Sequence, residues 1–391
     1  MTPITSTADL ADFCARLAGQ GFVAVDTEFM RETTYWPKLC LIQAAAPDGA
    51  EATIDPLAEG LDLSPFLDVM RDKRILKVFH AARQDVEIFH NLGAIPEPLF
   101  DTQIAGMAAG FGEQVAYDAL ARKILKVELD KSHRFTDWSR RPLSDAQLAY
   151  AIADVTHLAE LYPILRARLE KAGRLSWVTE EMAAMCDPAL YDVDPENAWR
   201  RLKPRRHSAK YLAVFRAVAA WRERTAQQRD QPRGRILKDE AIDELASQAP
   251  TDADALNRLR SVPKGFSGSR YGPELIEAIK GALASPETYA PKIERESGPA
   301  SPAAGAVVEL LKVLLKARAE DAGVASKLIA TVADLEKIAG DDRADTPALH
   351  GWRREAFGED ALRLKRGELA LVLDGTRVRV VPVRRAARAT A

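Results

Sequence analysis

The chain has 391 residues, which is too long for one ordinary hydrophobic core, so two or three domains are expected. Hydrophobic residues make up 47% of it and charged residues 29%, which is typical of a globular protein, and no stretch approaches the length of a membrane-spanning helix. The net charge of −2 is unevenly distributed, because residues 196–240 hold thirteen Lys/Arg against five Asp/Glu and the rest is net −10. This division suits a metal site joined to a nucleic-acid-binding surface, although a solvated helix face would produce the same excess.

Cysteine usage and the first residues indicate the compartment. Cys14, Cys40 and Cys186 are far apart and form neither a CxxC pair nor a spacing suited to zinc, which fits a reducing compartment. The starting sequence MTPITSTADLADF lacks the basic start and apolar run of a signal peptide. We therefore expect a cytoplasmic protein.

Strand-like and helix-like patterns alternate over the first part of the chain. Apolar runs predict buried strands at 22–29, 39–46, 52–54 and 74–79. Helical spacing of apolar residues follows the last of these and continues to residue 92. Such alternation predicts an α/β domain over residues 1–195, with a mixed sheet flanked by helices.

The segment from Ser144 gives the clearest helix signal. Ser144 and the glutamine three positions later are spaced as a capping box, and the apolar residues that follow form one face. Pro163 predicts a kink or a break in this helix, and Gly173 predicts its end. Tyr150 and Asp154 lie four residues apart, so their side chains should project from the same side.

After about residue 195 the strand pattern stops, and the remaining segments are mainly helical. Four short helices are predicted at 208–228, 239–248, 252–259 and 273–284. They indicate a helical domain over 204–285, and the proline-rich stretch 286–302 is typical of a linker. A second helical domain over 303–385 should end in a β-hairpin, because apolar residues alternate around Asp374-Gly375. The closing RRAARATA is expected to be disordered.

Two acidic residues stand inside the first predicted strand. Asp26 and Glu28 are two positions apart in VAVDTEF, so both carboxylates face one side of the sheet. A buried carboxylate is costly unless a positive charge neutralises it, and this segment holds no lysine or arginine. The spacing alone is a weak signal, because a surface strand can carry such a pair without function. The apolar flanks favour a buried pair with a cation as partner.

Three more candidates lie elsewhere: Asp85 in FHAARQDVEIF, and Tyr150 and Asp154 in LAYAIADV. Taken singly, Asp85 suits the first turn of a helix, and Tyr150 suits a core position with its hydroxyl at the rim. Together with Asp26 and Glu28, however, they gather four carboxylates in one apolar α/β unit. Such oxygen ligands suit two Mg²⁺ or Mn²⁺ ions about 3.5–4 Å apart, which activate a water and stabilise the departing oxygen in phosphodiester hydrolysis. The tyrosine hydroxyl is suited to orienting that water or helping to deprotonate it.

These residues match, in order, the three motifs of the DEDD exonucleases of the tyrosine subclass. Longer segments resemble the bacterial ribonuclease D family, namely DTEFMRETTYWPKLCLIQ, KVFHAARQDVEIF, PLFDTQIAG and LDKSHRFTDWSRRPLSDAQLAYAIADV. The segment 208–284, with WRER, RDQPRGRILKDEAIDELA and SRYG, resembles the helicase-and-RNase-D C-terminal (HRDC) domain. Residues 300–385 resemble the second such domain only loosely, since a terminal hairpin is not part of the usual helical unit.

This resemblance implies a ribonuclease H-like exonuclease fold for the first domain and a role for each motif residue. Asp26 would bridge both metal ions, with Glu28 and Asp154 completing the site that holds the attacking water's metal. Asp85 would support the second metal, and Tyr150 would align the nucleophile. The implied activity is 3′–5′ exoribonuclease action that releases 5′-mononucleotides from structured RNAs with a single-stranded 3′ end, notably tRNA precursors.

Several further side chains are candidates for substrate contact. They are Thr27, Phe29, Gln43, His80, Lys131 and Arg141. His80 opens the second motif, although a structural hydrogen bond explains it equally well. Basic and aromatic side chains before the helix at Ser144 can hold a single-stranded backbone and stack on a base, but Trp138 itself suits plain packing. Asp101, between a strand and a helix, suits a helix cap.

The expected partner is RNA, with no membrane, no obligate protein partner and a monomer as the default. Two other functions are compatible with parts of the pattern. One is a DNA 3′–5′ exonuclease, because the metal site does not distinguish the sugar. The other is an RNA-binding scaffold that has lost activity, which the intact set of four carboxylates argues against.

Overall fold

The computed structural model describes residues 2–134, 136–292 and 302–383. Its first part contains five strands: β1 (Phe22–Met30), β2 (Lys38–Ala45), β3 (Glu51–Ile54), β4 (Leu76–Phe79) and β5 (Leu99–Asp101). They form one sheet in the order β3-β2-β1-β4-β5. β1–β2 and β2–β3 pair antiparallel, whereas β1–β4 and β4–β5 pair parallel. The predicted α/β class with a mixed sheet is confirmed, and β1 lies at the centre of the sheet.

Helices flank this sheet. They are α1 (Thr7–Leu17), α2 (Ser64–Arg71), α3 (Arg83–Asn91), α4 (Thr102–Ala108), α5 (Tyr117–Ile124), α6 (Asp145–Lys171) and α7 (Leu175–Met185). The capping box of α6 is confirmed, since Ser144 and Gln147 each accept a hydrogen bond from the other's backbone N–H. The prediction of a break at Pro163 is wrong, because α6 is continuous through this residue. Leu161 and Leu165 on either side of it are fully buried in the core.

A first helical unit follows. It contains α8 (Ala209–Arg229), α9 (Arg233–Ile236), α10 (Asp239–Gln248), α11 (Ala253–Asn257), α12 (Tyr271–Ala284) and α13 (Pro286–Tyr289). Its separate core surrounds α8, with Phe215, Leu245 and Ile279 among the buried side chains. The first four residues of the predicted linker form α13, which packs against α8, and residues 293–301 lie outside the described residues.

A second helical unit completes the described chain. Its elements are α14 (Pro302–Ala322), α15 (Ser326–Ile329), α16 (Val332–Gly340), α17 (Gly351–Arg353), α18 (Glu359–Lys365), β6 (Leu369–Asp374) and β7 (Arg377–Pro382). The terminal hairpin is confirmed: Asp374 pairs with Arg377, so the two loop residues are Gly375 and Thr376. The expectation of disorder for RRAARATA falls on residues 384–391, outside the described part of the chain.

The second helical unit shares its core with the α/β domain. Leu311 and Phe357 belong to the same buried cluster as the strands of the sheet. The indole rings of Trp177 on α7 and Trp352 on α17 stack with centroids 4.2 Å apart, and Arg174 donates to the carbonyl of Gly323 at 3.2 Å. The Trp177 side chain on α7 is therefore covered by this unit. Among the described residues, no helix combines the length and the apolar composition needed to cross a bilayer.

Candidate active site

The predicted acids meet in a cleft beside the centre of the sheet. Asp26 and Glu28 lie on β1 and Asp154 lies on α6, and one carboxylate oxygen from each comes within 4.8 Å of the other two. The two-residue spacing places the first two side chains on one face of β1, and α6 packs against that strand. Tyr150 lines the same cleft, whose volume is about 510 Å³. The structure thus brings together four of the five residues that the motifs singled out.

Asp85 lies next to this group rather than within it. It is buried in the first turn of α3, and its Oδ1 accepts a hydrogen bond of 2.5 Å from Oγ1 of Thr27. Thr27 is the β1 residue between the two acids, so the hydrogen bond ties α3 to that strand. Burial raises the pKa of Asp85 well above its usual value, and the charge of Asp26 raises it further. Asp85 is therefore electrostatically part of the cluster.

Burial and mutual repulsion favour protonation of the other three acids. Burial raises the pKa of Asp26 to about 6. Burial and the charge of Asp26 raise the pKa of Asp154 to about 8. The pKa of Glu28 rises to about 9, because burial is reinforced by the charges of Asp26, Asp154 and Asp85. Each additional negative charge in the cleft is therefore costly without a cation.

The donor set fits metal ions. Lys131 lines the same cleft, but it pairs with Asp118 at 2.6 Å instead of with the acidic cluster. Carboxylate oxygens gathered in this way are the ligands that hard divalent cations prefer. The DEDD class of 3′–5′ exonucleases uses metal ions, and the cluster of Asp26, Glu28 and Asp154 is the part of this chain suited to them.

Tyr150 stands one helical turn before Asp154 on α6, and its hydroxyl lowers the pKa of that carboxyl group, although burial and the charge of Asp26 outweigh this effect. Its ring packs against His133 and Trp138, at centroid distances of 6.0 and 6.1 Å, and Trp138 is buried as a packing residue should be. Burial, with the charges of Asp154 and Glu28, raises the pKa of Tyr150 above its ordinary value. Without bound cations the phenol therefore stays protonated at neutral pH, which suits it to orienting a water.

Tyr117, at the start of α5, belongs to the site but was missed by the sequence analysis. Its hydroxyl donates to the backbone carbonyl of Asp154 at 2.5 Å, and its ring centroid lies 5.2 Å from that of His80. Both rings line the cleft, and His80 Nδ1 lies 3.0 Å from Oγ1 of Thr102. Burial lowers the pKa of His80, so its ring is neutral at pH 7. An aromatic residue at a helix start is ordinary in sequence, and no motif marked Tyr117.

Half of the predicted substrate contacts reach the cleft, namely Thr27, His80 and Lys131. The other three do not line it, and their contact with RNA stays a prediction. Arg141 donates two hydrogen bonds of 2.6 Å to the carboxylate of Asp55, so its guanidinium is a structural tie. Gln43 is fully buried on β2, and Phe29 packs against the main core. The predicted helix cap at Asp101 is confirmed, because its carboxylate accepts a hydrogen bond of 2.7 Å from the backbone N–H of Gln103 at the start of α4.

Comparison with known proteins identifies the family. A family model for a 3′-5′ exonuclease matches residues 1–170, and one for an HRDC domain matches residues 211–279. The ribonuclease D of Nitrobacter hamburgensis is 54% identical over 97% of this chain and 98% of its own length. That of Acidiphilium cryptum is 52% identical over 97% of this chain and 96% of its own length.

The chain belongs to the ribonuclease D family. It is accordingly a 3′–5′ exoribonuclease with an HRDC domain. The solved structure of Escherichia coli RNase D, an exoribonuclease involved in structured RNA processing, matches with a TM-score of 0.80 at 28% identity. The match covers 94% of this chain and 99% of that one, so the likeness to ribonuclease D extends through the helical units.

Proposed function

We propose that this ribonuclease D removes 5′-mononucleotides one at a time from structured RNAs that carry a single-stranded 3′ end, with tRNA precursors among them. The observation that carries the proposal is the convergence of Asp26, Glu28 and Asp154 beside Tyr150 in one cleft. The involvement of Escherichia coli RNase D in structured RNA processing supports this choice of substrate. Action in the cytoplasm as a monomer is part of the same proposal.

The acidic residues would hold two Mg²⁺ or Mn²⁺ ions. Asp26 is central in this assignment, with Glu28 and Asp154 beside it and Asp85 supporting the second ion from α3. When bound, such ions lower the pKa of the attacking water and neutralise charge on the departing 3′ oxygen. The raised pKa values support this assignment, because a cation would replace the protons that the crowded carboxylates otherwise retain.

Other side chains of the cleft would bind and orient the substrate. The Tyr150 hydroxyl, protonated and adjacent to Asp154, donates a hydrogen bond that fixes the attacking water relative to the phosphate. His80 and Tyr117 offer ring faces for the terminal nucleotide, since aromatic rings stack on any base. Lys131 supplies positive charge at the cleft for the phosphodiester backbone.

The test uses one RNA labelled at its 5′ end in one sample and at its 3′ end in another, with and without EDTA, beside the matched DNA. We expect the 3′ label to leave as a mononucleotide at once, the 5′ label to shorten stepwise, and EDTA to stop both. Internal cleavage, or activity that persists in EDTA, would contradict the proposal. Equal rates on the DNA oligomer would favour the DNA exonuclease alternative.

A further inference from the structure

The first helical unit holds the loop that follows β1. Loop 31–37 connects this strand, which carries the acidic pair, with β2. The backbone N–H groups of Tyr35 and Trp36 both donate to Oδ1 of Asp230, at 3.0 and 2.9 Å. Asp230 ends α8 in the left-handed conformation, with φ of 47°. The end of α8 is therefore docked on the backbone of the loop.

Side chains reinforce this docking in an arrangement we name the Tyr35 lock, which consists of Tyr35, Glu223 and Arg233. The Tyr35 hydroxyl donates to the Glu223 carboxylate. Arg233 donates to both oxygens of Glu223, at 2.5 and 2.6 Å, and to the Tyr35 hydroxyl at 2.9 Å. Its guanidinium also lies 4.6 Å from the centre of the Tyr35 ring. Two of these residues belong to the helical unit and one to the exonuclease domain.

The lock is buried and charged. The Glu223 side chain is 1% exposed, and Tyr35 is 8% exposed. Burial alone would raise the pKa of Glu223, but hydrogen bonds from Arg233 and Tyr35 outweigh it, and the pKa is lowered. A buried ion pair is stable only when its remaining polar atoms are satisfied. Arg201 lies 3.5 Å from Glu223 on the helical side, and Tyr35 adds a hydrogen bond from the other domain, so the lock links the stability of the ion pair to docking.

The lock also fixes the position of exposed basic side chains. Arg235 belongs with Arg233 to the four-residue helix α9, and Lys238 lies two residues after the end of that helix. Further basic residues lie on the segment that leads into α8. Within the described part of the chain, no ion pair engages the exposed side chains of Lys203, Arg206, Lys210, Arg235 and Lys238. By contrast, Arg233 is paired with Glu223 inside the lock. The basic region 196–240 therefore contains both structural side chains and exposed side chains that are open to RNA.

We propose that Tyr35 and Glu223 are positioning residues that make the enzyme bind long RNA more tightly than short RNA. The lock holds the exposed basic side chains at a constant place relative to the cleft. An RNA whose 3′ end occupies the cleft and whose body reaches the helical unit is then bound at two places at once. An oligonucleotide confined to the cleft gains nothing from the lock. This inference rests on the proposed exoribonuclease function.

The test compares Tyr35→Phe and the double variant Tyr35→Phe/Glu223→Gln with the wild-type full chain. The substrates are a trinucleotide and an RNA hairpin with a single-stranded 3′ tail, and kcat and KM are measured for each at several salt concentrations. The matched control is Tyr191→Phe, which removes a hydroxyl that donates to the carbonyl of Met185 at 2.7 Å, outside the lock and the segment before α8. Circular dichroism and thermal unfolding check folding, and limited proteolysis of the segment before α8 reports docking.

We expect the double variant to raise KM for the hairpin by about fivefold or more, to flatten the salt dependence of that KM, and to leave its kcat within about twofold. Kinetics on the trinucleotide and the control variant should match wild type. An unchanged hairpin KM overturns the proposal, whatever proteolysis shows, and so does an equal loss on the trinucleotide. If the double variant does not fold, Tyr35→Phe alone decides by the same criteria. A wild-type protein that degrades neither RNA contradicts the proposed function instead.

Discussion

The hydroxyl of Tyr117 donates to the backbone carbonyl of Asp154 at 2.5 Å, so α5 holds α6 at the residue whose carboxylate completes the acidic cluster. A carbonyl in the middle of a helix already accepts a bond from within the helix, and this second donor fixes the helix against its neighbour. The position of Asp154 relative to Asp26 and Glu28 therefore depends on a contact that spans 37 residues of chain.

Replacing Tyr117 by Phe removes this contact and keeps the ring that lines the cleft. Loss of one hydrogen bond costs about 1 kcal/mol, or roughly fivefold in kcat, if Asp154 becomes less well placed. The activity should also need a higher Mg²⁺ concentration. Tyr191→Phe is the control, because the Tyr191 hydroxyl donates to the carbonyl of Met185 at 2.7 Å outside the cleft. Equal effects of the two substitutions would show that the Tyr117 hydroxyl has no special role.

Asp26→Asn should abolish turnover while RNA binding is largely kept. Asp26 lies on the central strand, and its charge raises the pKa of Asp85, Glu28 and Asp154. The neutral amide keeps the shape of the side chain but is a poor metal ligand, so we expect a loss of about a thousandfold or more. Single-turnover assays and a filter-binding measurement separate the two effects. Appreciable residual activity with Mg²⁺ or Mn²⁺ would contradict the central role of Asp26.

Metal should stabilise the fold more at high pH than at low pH. Asp26, Asp154 and Glu28 have folded-state pKa values of about 6, 8 and 9, above the ordinary value of about 4 in the unfolded chain. The folded state therefore binds more protons across this window. The free energy of unfolding of the metal-free protein should fall as pH rises from about 4 toward 9.

The measurement is the melting temperature in EDTA and in Mg²⁺ at several pH values across that window. Bound Mg²⁺ should offset the loss of stability at high pH, so the melting temperature in Mg²⁺ should exceed that in EDTA by an amount that grows with pH. Asp26→Asn should reduce this difference in melting temperature, because one negative charge is removed from the metal site. A constant difference across the window would mean that the cluster does not bind the cation in place of protons.

Arg141→Ala should destabilise the fold and leave the cleft's affinity for RNA unchanged. It would leave the carboxylate of Asp55, whose side chain is 9% exposed, without its partner, at a cost of about 3–5 kcal/mol. The neighbouring Arg140→Ala is a control, since that side chain is 85% exposed and pairs with Asp137 on the surface, worth about 0–1 kcal/mol. Urea unfolding and RNA titration measure both quantities. Weaker RNA binding at unchanged stability would restore Arg141 as a substrate contact.

Trp352→Ala should destabilise the exonuclease domain, although Trp352 lies in the second helical unit. Its ring stacks on Trp177 of α7, and the loss of a buried aromatic side chain costs about 3–5 kcal/mol. Leu373→Ala is the control, because Leu373 at the hairpin tip is 78% exposed and should change stability by no more than about 0.5 kcal/mol. Deleting the second helical unit would uncover Trp177 on α7. The role of this unit in RNA binding is therefore better tested by substitutions on the surface of the unit.

Local pattern was sufficient to predict the elements that carry the acids. The spacing of Asp26 and Glu28 on a strand and of Tyr150 and Asp154 on a helix fixes which side chains share a face, because both periods are properties of the backbone. The capping box at Ser144 and the hairpin after Asp374 are also local. The order and spacing of the motifs are specific enough to indicate the family from the amino-acid sequence alone.

Tertiary structure decided which side chains reach the cleft. Arg141 is hydrogen-bonded to Asp55, 86 residues away in the chain, and Tyr35 is hydrogen-bonded to Glu223, 188 residues away. Tyr117 enters the site through a backbone carbonyl, which has no sequence signature. Gln43 was predicted to contact the substrate, but it is fully buried on β2, against which α6 packs. Hydrophobic period and motif spacing describe one segment at a time, whereas these contacts arise when segments pack together, and that packing determines whether a charged side chain meets a protein partner or remains open to the substrate.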